Sequence, residues 1–178
     1  MPAWARPNRG PPRPSGTTLP DPVTIRDFGP ADADAVLALA RELQAHEIRH
    51  FTRMKTPDQI GISYVEDLVI EARKHGGGVL VAEADGAICG YASLHLAVEV
   101  DDPDEVPYSY AYVADLSVSA SCRGRGIGTQ LMAECERRAR DAGQKWLRLN
   151  VLASNESARR FYARTGLTEH LLTLEKPL

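Results

Sequence analysis

A glycine-rich stretch with two arginines lies between an apolar segment and an amphipathic one. Gly124, Gly126 and Gly128 stand at alternate positions, and Arg123 and Arg125 lie among them. Because glycine has no Cβ, a ligand can approach the backbone closely at these positions. The helix predicted for the following residues leaves about four backbone N–H groups unpaired at its positive end. The stretch therefore predicts a phosphate site, and a plain glycine-rich turn with solvated arginines is the alternative.

Two other kinds of phosphate-binding loop can be weighed against this stretch. A Walker loop needs Lys-Ser or Lys-Thr after its last glycine, whereas Gly128 is followed by Thr129 and Gln130. A dinucleotide-binding fold places its glycines after the first strand and ends the next strand with an acidic residue. Here the glycines come late, and residues 147–152, the next predicted strand, contain no carboxylate. Neither alternative fits.

A second stretch, residues 155–167, combines an asparagine and a tyrosine at helical spacing. Asn155 and Tyr162 are seven residues apart, so two turns of helix bring them to one face, roughly 10 Å apart along the axis. Asn155 is also a plausible cap for that helix. Tyr162 shares its side of the helix with Ala158, Phe161 and Thr165, and a role as a core aromatic is the alternative to a chemical one.

Together the two stretches resemble the GNAT superfamily of acetyl-CoA-dependent N-acetyltransferases. The first matches the pattern Gln/Arg-x-x-Gly-x-Gly/Ala as Arg123-x-x-Gly126-x-Gly128. The second matches Asn-x-x-Ala-x-x-φ-Tyr-x-x-x-Gly-φ (φ apolar), from Asn155 to Leu167, at every defined place. The resemblance covers residues 79–178, and more loosely everything from Val23.

The resemblance implies a binding site for acetyl-CoA as co-substrate and gives roles to single residues. The end of the central strand would pair with the pantetheine arm, and Asn155 would hydrogen-bond that arm or a water. The glycine stretch would hold the pyrophosphate through its backbone. Tyr162 would be the general acid that protonates the departing thiolate. The implied strand residues are Leu116, Ser117 and Val118, and the implied glycine-stretch residues are Arg123, Gly124, Arg125, Gly126, Ile127, Gly128 and Thr129.

The general base is less well defined, because the family often has a glutamate where this chain has Tyr112. Asp115 is the nearest acid of that strand and the catalytic candidate, although it lies on the opposite pleat from Tyr112 unless a bulge intervenes. A carboxylate tied to a neighbouring arginine or backbone N–H is the alternative for Asp115. Glu99 and His95 of the preceding strand are further candidates, as is a water chain. Tyr112, Glu99 and His95 are also the predicted contacts of the acceptor.

The acceptor itself is only weakly indicated. The acidic residues 99–105 could attract a cationic amine, but such a run is more often simply solvated. The helices predicted between Asp32 and His75 should form the other wall of the cleft. Solvated surface is the favoured interpretation for each polar side chain there, namely Gln44, His46, Glu47, His50 and Tyr64.

The order of predicted elements indicates a mixed α/β fold of the α+β class. A strand, two helices and a hairpin at Asp85-Gly86 precede the central strand, and a helix, a strand, a helix and a last strand follow it. Thr56 and Gln59 are expected to cap the second helix. We expect a mixed, mostly antiparallel sheet of six to seven strands flanked by about four helices.

Length and composition restrict the class of protein. The chain has 178 residues, 43% of them hydrophobic, and a net charge of -3; this fits one domain and gives no reason to expect nucleic acid or a membrane as partner. Residues 1–22 hold seven of the twelve prolines and predict a disordered lead-in to a single domain over residues 23–178. Three cysteines without zinc or redox spacing favour a cytoplasmic protein without a metal.

The sequence leaves three functions open. The first is acetylation of a primary amine of a small molecule by direct attack in a ternary complex. The second is the same reaction on a peptide or protein amino group. The third is a non-catalytic acyl-CoA-binding module, which the tyrosine at position 162 disfavours. A homodimer is also left open.

Overall fold

The computed structural model describes residues 22–176, so the predicted proline-rich lead-in lies outside the described residues except for Pro22. The strands are β1 (Thr24–Asp27), β2 (Gly78–Ala84), β3 (Ala87–Val100), β4 (Tyr108–Val118) and β5 (Leu147–Arg148). The helices are α1 (Ala33–Glu47), α2 (Ile62–Lys74), α3 (Ile127–Asp141) and α4 (Glu156–Arg164).

The sheet has five strands in the order β1-β2-β3-β4-β5. The first four pair antiparallel, and β5 runs parallel to β4. The mixed, mostly antiparallel sheet with four helices is thus confirmed, but the expected six to seven strands are not. The strand predicted over residues 146–152 keeps only two paired residues, so it offers almost no edge to a last strand. Accordingly Leu171 and Leu174 of the tail are 84% and 92% exposed and belong to no strand.

Each face of the sheet buries its own apolar cluster. Helix α3 covers one face, with Ile127, Leu131, Cys135 and Ala139 forming a buried stripe at intervals of four residues. Helices α1 and α2 cover the other face and pack Val36 and Val65 against the strands. The strands alternate between these two clusters, as the period of two along a strand requires.

The hairpin between β2 and β3 is confirmed, with Ala84 opposite Ala87. Its two loop residues, Asp85 and Gly86, have φ values of 53° and 74°. A two-residue turn of this hand matches the twist of the strands, and Asp-Gly is among the few pairs that adopt it readily.

A bulge in β4 changes which residues share a face of the sheet. Asp115 is opposite Ser93, whereas Val113 is opposite Leu94, so Ala114 is the extra residue. Tyr112 is opposite His95, which lies two residues from Ser93 on the same face. Asp115 and Tyr112 therefore both face α1 and α2. From the sequence, Asp115 and Tyr112 could share a face only if a bulge lay between them, and that bulge is present.

The second helix begins later than its capping signal predicts. Gln59 accepts a hydrogen bond from the Thr56 backbone N–H at 2.9 Å, but the turn that it closes is a short 3-10 segment, Pro57–Gln59. Ile60 is then extended and buried, and the Arg41 guanidinium donates to its carbonyl oxygen. Burial of Ile60 thus separates this turn from α2.

The junction of α2 and β2 supplies a test of the packing. A Cβ at Gly77 would lie 1.9 Å from the Leu94 carbonyl oxygen, whereas a Cβ at Gly78 would meet nothing within 4 Å. We expect Gly77→Ala to lower the free energy of unfolding by about 2 kcal/mol or more, because backbone must move. Gly78→Ala is the matched control and should change it by less than about 0.5 kcal/mol. Urea denaturation measures both, and equal stability of the two variants would contradict the described junction.

Candidate functional site

Within the described part of the chain, strand β4 is unpaired along one edge beyond its midpoint. Strand β5 pairs with β4 only at Ala111 and Tyr112, and no strand of residues 22–176 pairs with residues 113–118 on that side. Every second residue of an edge strand presents its backbone N–H and C=O outward. The segment predicted to pair with pantetheine, Leu116 to Val118, therefore lies on an edge that can accept an extended ligand.

The glycine stretch leads from this edge into α3. After a 3-10 turn, Ala120–Cys122, Gly124 and Gly126 adopt φ values of 80° and 77°, the left-handed region that favours glycine. Gly126 is the N-cap of α3, and no side chain caps it. The backbone N–H groups of Ile127, Gly128 and Thr129 therefore begin the helix without intrahelical partners, as an anion site requires.

Both arginines of the stretch are held close to it. The Arg125 guanidinium lies 2.8 Å from the Asp85 carboxylate of the β2–β3 hairpin. Arg123 donates to the Val118 carbonyl oxygen at 3.2 Å and lies 3.7 Å from the Glu42 carboxylate of α1. These contacts place two positive charges beside the start of α3.

Gly128 has a packing role that the sequence did not reveal. A Cβ there would lie 3.1 Å from the Phe161 ring of α4. The missing side chain therefore lets α4 approach the first turn of α3. The Phe161 ring in turn lies 5.1 Å from the Tyr162 ring at an angle of 59°, so this contact helps to fix the predicted general acid.

Asn155 is the predicted cap of α4, and its capping role is confirmed. Its side-chain oxygen accepts hydrogen bonds from the Ala158 N–H at 3.2 Å and the Ser157 hydroxyl at 3.0 Å. The residue is buried. Its predicted contact with the pantetheine arm stays a prediction.

Tyr162 is partly buried and packs against the α3 cluster. Burial raises the pKa of its hydroxyl to about 12, and the nearby Glu47, Asp115 and Tyr112 contribute to the rise. The hydroxyl thus stays protonated at neutral pH, which is the state that a proton donor needs.

Asp115 is tied down by two phenols. One of its carboxylate oxygens accepts from the Tyr64 hydroxyl at 2.6 Å and from the Tyr91 hydroxyl at 2.9 Å. Burial raises the pKa of the Asp115 carboxyl, although the two hydrogen bonds oppose the rise. The carboxylate joins α2, β3 and β4. It is tied, as in the alternative interpretation, but to tyrosines rather than to an arginine or a backbone N–H.

The three predicted acceptor contacts are only partly brought together. The rings of His95 and Tyr112 lie 5.9 Å apart, and His95 stacks on His75 at 5.0 Å. Burial lowers the pKa of His95, and His75 adds to this. Glu99 lies exposed further along β3, opposite Ser109 and beyond a second irregularity in the ladder.

Like Tyr64, which donates to the Asp115 carboxylate, Glu47 is a residue whose position the sequence analysis judged wrongly. It was assigned to solvated surface, but it is partly buried at the end of α1. Burial raises the pKa of its carboxyl, and the Asp115 charge raises it further. The available signal was its place in the apolar series Val36, Ala40, Leu43 and Glu47, at the helical spacing of an inward face.

Among residues 22–176, no group of three or more His, Cys, Asp or Glu side chains could hold a metal ion. No helix in the same part of the chain is both long and apolar enough to cross a bilayer.

Comparison with known proteins places these features in a family. The sequence model of the Acetyltransferase (GNAT) family matches residues 36–167. An uncharacterized N-acetyltransferase of Methanocaldococcus jannaschii is 30% identical over 150 residues, which cover 83% of this chain and 80% of that protein. A second one, from Bacillus subtilis, is 34% identical over 74 residues, 42% of this chain and 47% of its own length.

Solved structures share the fold. A tetramutant of the BH1408 protein from Bacillus halodurans superimposes with a TM-score of 0.76 at 24% identity, over 87% of this chain and 99% of that one. An aminoglycoside N-acetyltransferase, AAC(6')-Iy, solved in complex with CoA, does so with a TM-score of 0.63 at 20% identity, over 93% and 99%. With the family match covering most of the chain, this protein belongs to the GNAT family of acetyltransferases.

Proposed function

We propose that this protein transfers the acetyl group of acetyl-CoA to a primary amine of a small molecule, within a single domain formed by residues 23–178. The observation that carries the proposal is the open edge of β4, which leads directly to the uncapped start of α3. An extended pantetheine arm needs such an edge, and a pyrophosphate needs such a helix start. The CoA bound to the neighbour AAC(6')-Iy supports the same co-substrate here.

The chain's own residues suggest how the co-substrate is held. Backbone groups of Leu116, Ser117 and Val118 would pair with the extended arm, and N–H groups from Gly126 to Thr129 would face the pyrophosphate. Arg123 and Arg125 add positive charge beside it. A backbone N–H near Val118 would polarise the thioester carbonyl as an oxyanion donor.

Tyr162 is the proposed general acid. It lies on α4, which packs against the start of α3 through Phe161 and Gly128. Its hydroxyl would donate its proton to the coenzyme sulfur as the C–S bond breaks. Because its pKa is raised to about 12, the proton is not lost to solvent beforehand.

The acceptor face favours an amine of positive charge. Asp115 and Glu47 place two acids near Tyr112 and Tyr162, and aromatic rings next to acids suit an ammonium group. A peptide or protein amino group is the second candidate for the same face. The aminoglycoside acted on by the neighbour AAC(6')-Iy supports the small-molecule alternative.

A direct test follows thiol release from acetyl-CoA with spermidine, neamine, lysine and a short peptide with a free amino terminus. We expect at least one of these amines to raise the release rate at least 10-fold above the rate without amine. Saturation by micromolar to millimolar amine would be typical of an enzyme. CoA binding with no release for any amine would contradict the proposal and favour a non-catalytic binding module.

The role of Tyr162 can be separated from a packing role by Tyr162→Phe, which keeps the ring and removes the hydroxyl. We expect kcat to fall roughly 100-fold or more, the usual contribution of a general acid, while the Kd of CoA stays within about 2-fold. Tyr108→Phe is the matched control on β4, because its hydroxyl contacts Arg148 and has no place in this mechanism. An equal loss of kcat and coenzyme affinity in Tyr162→Phe would count against the acid role.

A further inference from the structure

The proposed reaction needs a group to take a proton from the amine, and the strand position that often supplies it holds Tyr112. The first candidate, Asp115, already accepts two phenol hydrogen bonds on one carboxylate oxygen, at 2.6 Å and 2.9 Å. Those bonds link three elements of the fold. An acid held in this way is well suited to position its neighbours and less free to approach a substrate.

Glu47 differs from Asp115 in its bonding. Within residues 22–176 its carboxylate accepts no hydrogen bond and forms no ion pair. It is nevertheless partly buried. A partly buried carboxylate that no protein group holds is free to contact water or a ligand.

Helix α1 carries Glu47 across the open part of the sheet. Near its middle, the Leu39 carbonyl oxygen accepts from the Ser117 hydroxyl at 3.3 Å, and the Glu42 carboxylate accepts from the Ala120 N–H at 2.6 Å. Just beyond its end, the His50 ring contacts the Ser154 hydroxyl at 3.1 Å, in the turn before α4. The helix thus runs from the end of β4 to the start of α4, over the gap where the thioester would lie.

The charged and titratable groups near Glu47 come from every element packed around it. The Glu47 carboxylate is close enough to raise the pKa of the Tyr162 hydroxyl of α4. The Asp115 charge of β4 in turn raises the pKa of Glu47. The Glu47 charge also raises the pKa of the Tyr64 hydroxyl of α2 and of the Tyr91 hydroxyl of β3. Glu47 is therefore near both the proposed proton donor and the tethered acid.

We infer that Glu47 is the catalytic residue that accepts a proton from the bound ammonium group of the acceptor. This inference rests on the proposed function. The neutral nitrogen then forms a bond to the carbonyl carbon of the thioester. The C–S bond breaks, its electron pair stays on sulfur, and the sulfur takes the Tyr162 proton. The remaining extra proton on nitrogen returns to the Tyr162 oxygen, and Glu47 releases its own proton to solvent. One amide, one thiol and one proton are formed.

Glu47→Gln tests this step, with Glu66→Gln on the exposed side of α2 as matched control. With the fastest amine of the panel, we expect Glu47→Gln to lower kcat roughly 100-fold or more, in the range of general-base catalysis. In the wild type, kcat should fall as pH drops through the raised pKa of Glu47, since only the carboxylate accepts a proton. That acid limb should persist in Glu66→Gln and Asp115→Asn and disappear in Glu47→Gln.

A second readout distinguishes proton removal from a structural effect. Hydroxylamine is neutral at pH 7.5 and needs no deprotonation before attack. After subtraction of the uncatalysed rate, we expect Glu47→Gln to retain more than half of the wild-type turnover with hydroxylamine, with an unchanged CoA Kd. Three results would overturn the role of Glu47 and leave the proposed function intact. These are equal losses of turnover with both amines in Glu47→Gln, kinetics of Glu47→Gln like those of Glu66→Gln, or loss of the acid limb only in Asp115→Asn. Absence of turnover in the wild type would overturn the proposed function as well.

Discussion

The site depends on the early end of pairing between β4 and β5. Two residues of β5 pair with Ala111 and Tyr112, and the rest of β4 has no neighbour on that side among residues 22–176. An unpaired strand edge is normally a liability, because its backbone groups invite further pairing. In this fold α3 begins just beyond that edge with an uncapped first turn. The open edge and the helix start together are the proposed surface for the coenzyme.

The opposite contribution comes from α1, which crosses the same gap. Its contacts with Ser117, Ala120 and, just past its end, Ser154 fix it over the end of β4. The bulge at Ala114 turns Asp115 toward the face that α1 and α2 cover, where Tyr64 of α2 and Tyr91 of β3 hold it. In the proposed reaction, backbone groups of β4 would hold the thioester, and the acidic side chains of Glu47 and Asp115 would face the amine.

Much of this could be predicted from the sequence, because local rules dominate there. The glycines, the Asp85-Gly86 hairpin and the Asn155 cap each follow from the conformations of single residues, and all are present. What failed depends on long-range pairing: the extent of β5 and the last strand, which is absent from residues 22–176. The bulge that turns Asp115 also depends on such pairing, and the sequence left it open. Glu47 was misjudged for a similar reason, since a helix pattern does not show what its inward face meets. The family follows from two motifs, whereas the acceptor depends on tertiary contacts that no motif encodes.

The central claim is that the open edge of β4 and the first turn of α3 hold the coenzyme. Hydrogen exchange of backbone amides in the full chain, measured with and without saturating CoA, tests it directly. The account predicts slowed exchange at residues 116–118 and 126–129, because ligand oxygens would occupy these N–H groups. Unchanged exchange in both segments, with protection confined to another surface, would contradict it.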